Sequence, residues 1–103
     1  MHNLLPQDIE TLLGQLNSST NQPWIITDDC LQKTFAFRDF KLAFHFMQQV
    51  SVEAEKLDHH PDWCNSYNRV SIKLTTHSAG GITELDFRLA EKIEQITATT
   101  SNR

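Results

Sequence analysis

Apolar residues along this chain switch between two periods, and the switches mark its elements. Ile9, Leu12, Leu13 and Leu16 recur at helical spacing after Pro6, whose missing N–H costs little in a first turn, so residues 6–16 are predicted to form a helix. The polar run Asn17 to Gln22 ends it. Trp24, Ile25 and Ile26, then Leu31, Lys33, Phe35 and Phe37 in alternation, predict a hairpin of two strands turning at Asp28 and Asp29. From Phe40 onward, Phe40, Ala43, Phe44, Met47, Val50, Ala54 and Leu57 hold a 3.6-residue period and predict a second, long helix. Phe46 widens its stripe, which fits either a broad core-facing surface or a helix that packs partly against another subunit.

After His60 the chain must leave the helical region, because Pro61 disfavours it for the preceding residue. Two further strands follow, around Trp63 to Tyr67 and Val70 to Thr76, with Val70, Ile72 and Leu74 on the buried face. Gly80 and Gly81 make a turn. Thr83 then opens a third helix, with Asp86 at capping-box spacing and Leu85, Leu89, Ile93 and Ile96 facing inward. Residues 97–103 are expected to be a frayed tail.

The pattern predicts an α+β fold in one domain spanning 1–103, with 1–20 as the N-terminal helix and linker. Its order is α-β-β-α-β-β-α, a four-stranded antiparallel sheet with three helices on one face. Asp39-Phe40-Lys41-Leu42-Ala43 and Asp86-Phe87-Arg88-Leu89-Ala90 share a D-F-basic-L-A pattern where a repeated strand-strand-helix unit would put it.

Composition narrows the setting. A chain of 103 residues with 39% apolar residues has a modest core that assembly into an oligomer would help. With 9 basic and 13 acidic residues the formal charge is -4, which argues against direct nucleic-acid binding through counterion release. No long apolar run suits a membrane span, and Met1 to Leu5 lacks the sections of a secretory signal, so a cytoplasmic protein is expected. Cys30 and Cys64, far apart and without CxxC spacing, suit a reducing compartment and carry no zinc signature.

Candidate chemistry gathers in Glu55-Lys56-Leu57-Asp58-His59-His60-Pro61-Asp62-Trp63, between the second helix and the third strand. His77 falls at the end of the fourth strand, so a hairpin of strands three and four would return it to the same sheet edge as His59 and His60. A free imidazole titrates at about 6.5, so near neutral pH one histidine can donate a proton while another accepts one. A lone histidine is most often a surface or capping residue; three so placed outline an acid-base site. Metal binding is the rival chemistry, but adjacent histidines in extended chain point to opposite sides, and no H-x-H, H-x3-H or cysteine partner is present. The same alternation would separate His59 from His60 unless a turn at Pro61 relaxes it. Glu55, four residues before His59, either orients that imidazole or is an ordinary exposed carboxylate. Asp86 has a capping position, matched by Asp39. Trp24, Trp63 and Tyr67 either wall a flat ligand or belong to the core. His2 and His45 receive no role.

Glu55-x3-His59-His60-Pro61-x5-Tyr67-x9-His77-x8-Asp86 resembles the motif of the pterin-4a-carbinolamine dehydratase family, position for position. The similarity runs from about Trp24 to Ile96, through Arg38-Asp39-Phe40, Ala54 to Trp63 and Tyr67-Asn68-x-Val70 to Thr76-His77. It implies loss of water from a 4a-hydroxytetrahydropterin left by an aromatic amino-acid hydroxylase, in tetrahydrobiopterin recycling, with neither metal nor cofactor. It further implies His59 and His77 as acid-base groups and His60 as the residue that mainly holds the pterin. Asp58, His59 and His60 would form one wall, and Thr75, Thr76, His77 and Ser78 the other, with Glu55, Pro61, Trp63 and Asp86 in support. A homodimer or homotetramer is implied as well. Similar proteins also act as protein partners, including as a dimerisation cofactor for a homeodomain transcription factor, so a protein-interaction module is the alternative.

Overall fold

The computed structural model describes residues 3–100. In it α1 is Pro6–Asn17, β1 Ile25–Thr27, β2 Cys30–Ala36, α2 Phe40–Leu57, β3 Asp62–Ser66, β4 Arg69–Leu74 and α3 Glu84–Thr99, with a 3₁₀ turn, His77–Ala79, before α3. This is the expected order. The sheet is antiparallel throughout in the order β1-β2-β4-β3, so the second strand of each strand-strand-helix unit lies inside and the two pair with each other.

Register decides which face is buried. Leu31 pairs with Leu74, Lys33 with Ile72 and Phe35 with Val70, and paired residues project to the same side. That side forms one apolar cluster with Leu16 of α1, with Ala43, Phe46, Val50 and Ala54 of α2 and with Leu89, Ala90 and Ile93 of α3. The other side carries Gln32, Thr34, Ser71 and Lys73. Asp28 and Asp29, both at positive φ (54° and 59°), make the two-residue β1–β2 turn, a backbone shape that short polar side chains tolerate.

α2 is rotated from its expected phase. Phe46, read as an extra width of the stripe, is fully buried and packs against Phe35 and Phe37 at ring distances of 5.2 and 4.8 Å. Phe40 and Phe44, read as part of the inward set, are about half exposed and lie 5.8 Å from each other. The buried line is Ala43, Phe46, Val50 and Ala54, because Phe46 fills the space over β2 that only one large ring can occupy.

Two further expectations are corrected. α3 continues to Thr99 and buries Thr97, so the helix outlasts the frayed tail expected from residue 97; residues 101–103 and His2 lie outside the described residues. The two D-F-basic-L-A segments are also not equivalent. Asp39 is itself the N-cap of α2 and accepts from Leu42 N–H, whereas Asp86 sits three residues inside α3 behind the N-cap Thr83, in a complete capping box. α3 therefore starts earlier relative to the pattern, which buries Phe87 while Phe40 stays exposed.

Candidate active site

The end of α2 sends its two histidines in different directions. Asp58 adopts a left-handed conformation (φ 50°, ψ 44°), His59 N–H donates to Ala54 O at 3.0 Å and Asp58 N–H to Glu55 O at 3.1 Å, a Schellman ending with aspartate where glycine is usual. The reversal lies at Asp58 and not at Pro61, which leads directly into β3. It turns the His59 side chain inward, where it is 10% exposed, and leaves that of His60 57% exposed.

Inside, His59 Nε2 lies 2.5 Å from Asp86 Oδ1. Asp86 is fully buried, and its other oxygen, Oδ2, accepts the Thr83 N–H and the Thr76 hydroxyl, each at 2.9 Å. The Thr76 and Thr83 hydroxyls are 2.8 Å apart. A buried carboxyl group is tolerable only when its lone pairs are matched by donors, and here both oxygens are matched. Among the described residues no buried side-chain polar atom lacks a partner. The capping box of α3 and the support of His59 thus share one carboxyl group. The expected cap role of Asp86 holds, and its contact with His59 adds to it.

Glu55 pairs with His60 Nε2, not with His59. The Schellman reversal takes His59 off the helix surface, so the expected contact four residues on cannot form. Both members of the Glu55–His60 pair are more than half exposed, so it orients a surface imidazole and contributes little stability, about 0–1 kcal/mol for such pairs.

The second expected wall begins where β4 ends at Leu74. Thr75 donates its hydroxyl to Asp29 O at 3.0 Å, tying the segment to the β1–β2 turn. Thr76, expected to read the edge of a ring, is 5% exposed and has its hydroxyl committed to Asp86, so it holds the site from behind. His77 and Ser78 open the 3₁₀ turn and are exposed; Gly80, at φ 75°, closes it in a conformation that favours glycine. His59 touches Asp86, His60 follows His59, and His77 follows Thr76. The carboxyl group thus binds His59 itself, while His60 and His77 are the chain neighbours of His59 and Thr76, two of the residues it holds.

Trp24 is buried in the core, and Trp63 packs half-buried against it. Tyr67 is exposed at the β3–β4 turn, the far end of β3 from His60, and is not a wall of this site. Pro61 is half-buried beside His60. The sequence pattern marks Thr83 as a cap but does not reveal its hydroxyl contact with Thr76, which depends on how β4 approaches α3. Among the described residues no group of three His, Cys, Asp or Glu side chains could hold a metal ion, and no helix is long and apolar enough to cross a membrane.

A family model described as Pterin 4 alpha carbinolamine dehydratase matches residues 2–96. Two relatives bear provisional names as pterin-4-alpha-carbinolamine dehydratases. One, from Sinorhizobium fredii, is 46% identical over 93 residues, 88% of this chain and 87% of its own. The other, from Bordetella avium, is 47% identical over 94 residues, 91% and 84% of the two chains. A crystal structure of a transcriptional coactivator/pterin dehydratase from Brucella melitensis is similar at a TM-score of 0.84 and 41% identity, covering 92% of this chain and 98% of that one. A pterin dehydratase-like protein identified as a RuBisCO assembly factor in the alpha-carboxysome shares the fold at a TM-score of 0.61 and 20% identity, covering 81% and 95%.

Proposed function

Since the chain belongs to the pterin 4 alpha carbinolamine dehydratase family, we propose that it removes water from a 4a-hydroxytetrahydropterin to give the quinonoid dihydropterin, the step that returns an aromatic amino-acid hydroxylase's product to tetrahydrobiopterin recycling. The observation that carries this reading is the buried Asp86 carboxyl group 2.5 Å from His59, with His60 and His77 each one residue from the same network.

In the reaction the C4a–O bond breaks, the departing hydroxide takes up a proton, and N5 loses one as the C4a–N5 double bond forms. No electrons enter or leave. His59 and His77 serve as the acid-base pair on the two sides of the leaving hydroxyl. His60, steered by Glu55, holds the pterin at the surface of the site. Asp58, Thr75 and Ser78 line its edge, while Thr76 and Asp86 act through His59. General acid-base catalysis of this kind contributes typically ~10² to 10⁴-fold, or roughly 3 to 5 kcal/mol off the barrier. The two free cysteines are consistent with work in the cytoplasm.

Stopped-flow loss of 4a-hydroxytetrahydropterin tests this. The wild type should accelerate it clearly, and His59→Ala and His77→Ala should lose most of the acceleration. His60→Ala should weaken pterin binding. A folded wild type with no rate above buffer would overturn the reading.

One observation favours a second role. Phe40 and Phe44 lie exposed side by side on the outer face of α2, an apolar surface that would seat a second copy in a homodimer or homotetramer, or another protein. The related Brucella melitensis protein is itself described as a transcriptional coactivator. Loss of the histidines should leave such an association intact, whereas Phe44→Asp should abolish it.

A further inference from the structure

Thr83 enters the buried network twice. Its N–H donates to Asp86 Oδ2, and its hydroxyl oxygen lies 2.8 Å from Thr76 Oγ1 while accepting the Leu85 N–H at 3.3 Å. A hydroxyl carries one proton. Thr76 directs its own to Asp86 Oδ2 at 2.9 Å, so the bond between the two threonines must be donated by Thr83. Donation therefore runs one way, from Leu85 N–H to Thr83, to Thr76, to Asp86. With Oδ2 accepting both Thr76 and Thr83 N–H, Oδ1 remains as the acceptor facing His59 Nε2. Such an oxygen is matched by a nitrogen that carries hydrogen.

We infer that Thr83, beyond capping α3, is a positioning residue whose hydroxyl holds His59 in its Nε2–H form through Thr76 and Asp86, leaving Nδ1 as the nitrogen that exchanges a proton with the pterin. Only the last clause rests on the dehydratase reading; the tautomer does not. Without the Thr83 hydroxyl, the Thr76 oxygen loses its donor, and the Thr76 hydroxyl is held only by the proton it gives to Oδ2. The carboxyl group could then turn, and His59 with it.

Long-range proton–nitrogen NMR of the folded protein, at about pH 8 where an ordinary imidazole is neutral, reads the tautomer directly. The wild type and Thr83→Ser should show His59 with hydrogen on Nε2 and a bare Nδ1. Thr83→Val, which keeps the shape and the backbone N–H, should mix the two forms and lower kcat roughly ten- to a hundredfold with KM little changed. Wild-type His59 with hydrogen on Nδ1 overturns the inference, and that spectrum decides even if Thr83→Val fails to fold. A Thr83→Val protein that loses thermal stability but keeps the His59 tautomer also overturns it, leaving Thr83 a cap. Should the tautomer shift as expected in a protein whose wild type does not accelerate dehydration, the positioning stands and the dehydratase reading alone falls.

Discussion

Lys33 Nζ lies 2.6 Å from Glu94 Oε2, with the two side chains 2% and 11% exposed, so β2 sends a cation into the apolar face that α3 covers. The same carboxylate oxygen accepts from Trp24 Nε1 at 3.0 Å. The ammonium also donates to the Thr20 hydroxyl at 3.0 Å and lies 4.8 Å from the Phe35 ring centre. One pair thus ties the loop after α1, the residue just before β1, the middle of β2 and the last half of α3 together. Removing only the carboxylate takes from a buried ammonium the counter-charge that lies 2.6 Å from it. Glu94→Gln should therefore cost about 3–5 kcal/mol in urea unfolding. The double variant Lys33→Met/Glu94→Gln removes the buried ammonium as well, keeps an acceptor for Trp24 and should recover most of that loss. A double variant no more stable than the single one would mean that the cost lies in packing and not in charge.

The inward direction of Lys33 is legible in its alternation with Leu31 and Phe35, but Glu94 is not legible as its partner, because the two stand 61 residues apart and meet only once α3 crosses β2. The same division runs through the molecule. Element order follows from periodicity, since a change of period is a local property. The phase of α2 does not, because Phe40, Phe44 and Phe46 are equally apolar and only the ring space over Phe35 and Phe37 selects Phe46. For the site, the motif names His59, His60, His77 and Asp86, yet the partner of Glu55 depends on the left-handed backbone of one residue, Asp58.

Asp58 is a place where stability and function should oppose each other. A left-handed backbone costs an L-residue roughly 1–2 kcal/mol, less for aspartate, and part of the gain from glycine is returned through the freedom it adds to the unfolded chain. Asp58→Gly should hence stabilise the fold by about 0.5–1 kcal/mol, seen as a shift of the urea midpoint at constant slope. If the Asp58 carboxylate touches the pterin, the same variant should bind it more weakly. Unchanged affinity would assign Asp58 to the turn alone.

Phe44 and Phe46, two residues apart, should respond oppositely. Phe46→Ala empties a fully buried site between Phe35 and Phe37 and should cost about 3–5 kcal/mol in unfolding free energy. Phe44→Asp changes a half-exposed ring and should alter the stability of an isolated chain by no more than about 0.5 kcal/mol. Its effect should appear in sedimentation instead, as a lower assembly mass, if the outer face of α2 seats a second copy. Equal loss of stability in both variants would mean that Phe44 supports the fold directly.

Asp86→Asn separates the two duties of that side chain. An asparagine oxygen at the place of Oδ2 still accepts from Thr83 N–H and Thr76, so the capping box survives in outline. Its amide group then faces His59 Nε2 and must donate there, which forces the imidazole to carry its hydrogen on Nδ1, the nitrogen that would otherwise be bare. The protein should fold, with a loss on the order of 1–2 kcal/mol for weakened buried hydrogen bonds, while the dehydration rate falls by roughly 10²–10⁴ because the proton is held on the wrong atom. Urea unfolding and stopped-flow on the same preparation measure both. A rate that falls only in step with the folded fraction would assign Asp86 to the start of α3 and remove it from the chemistry.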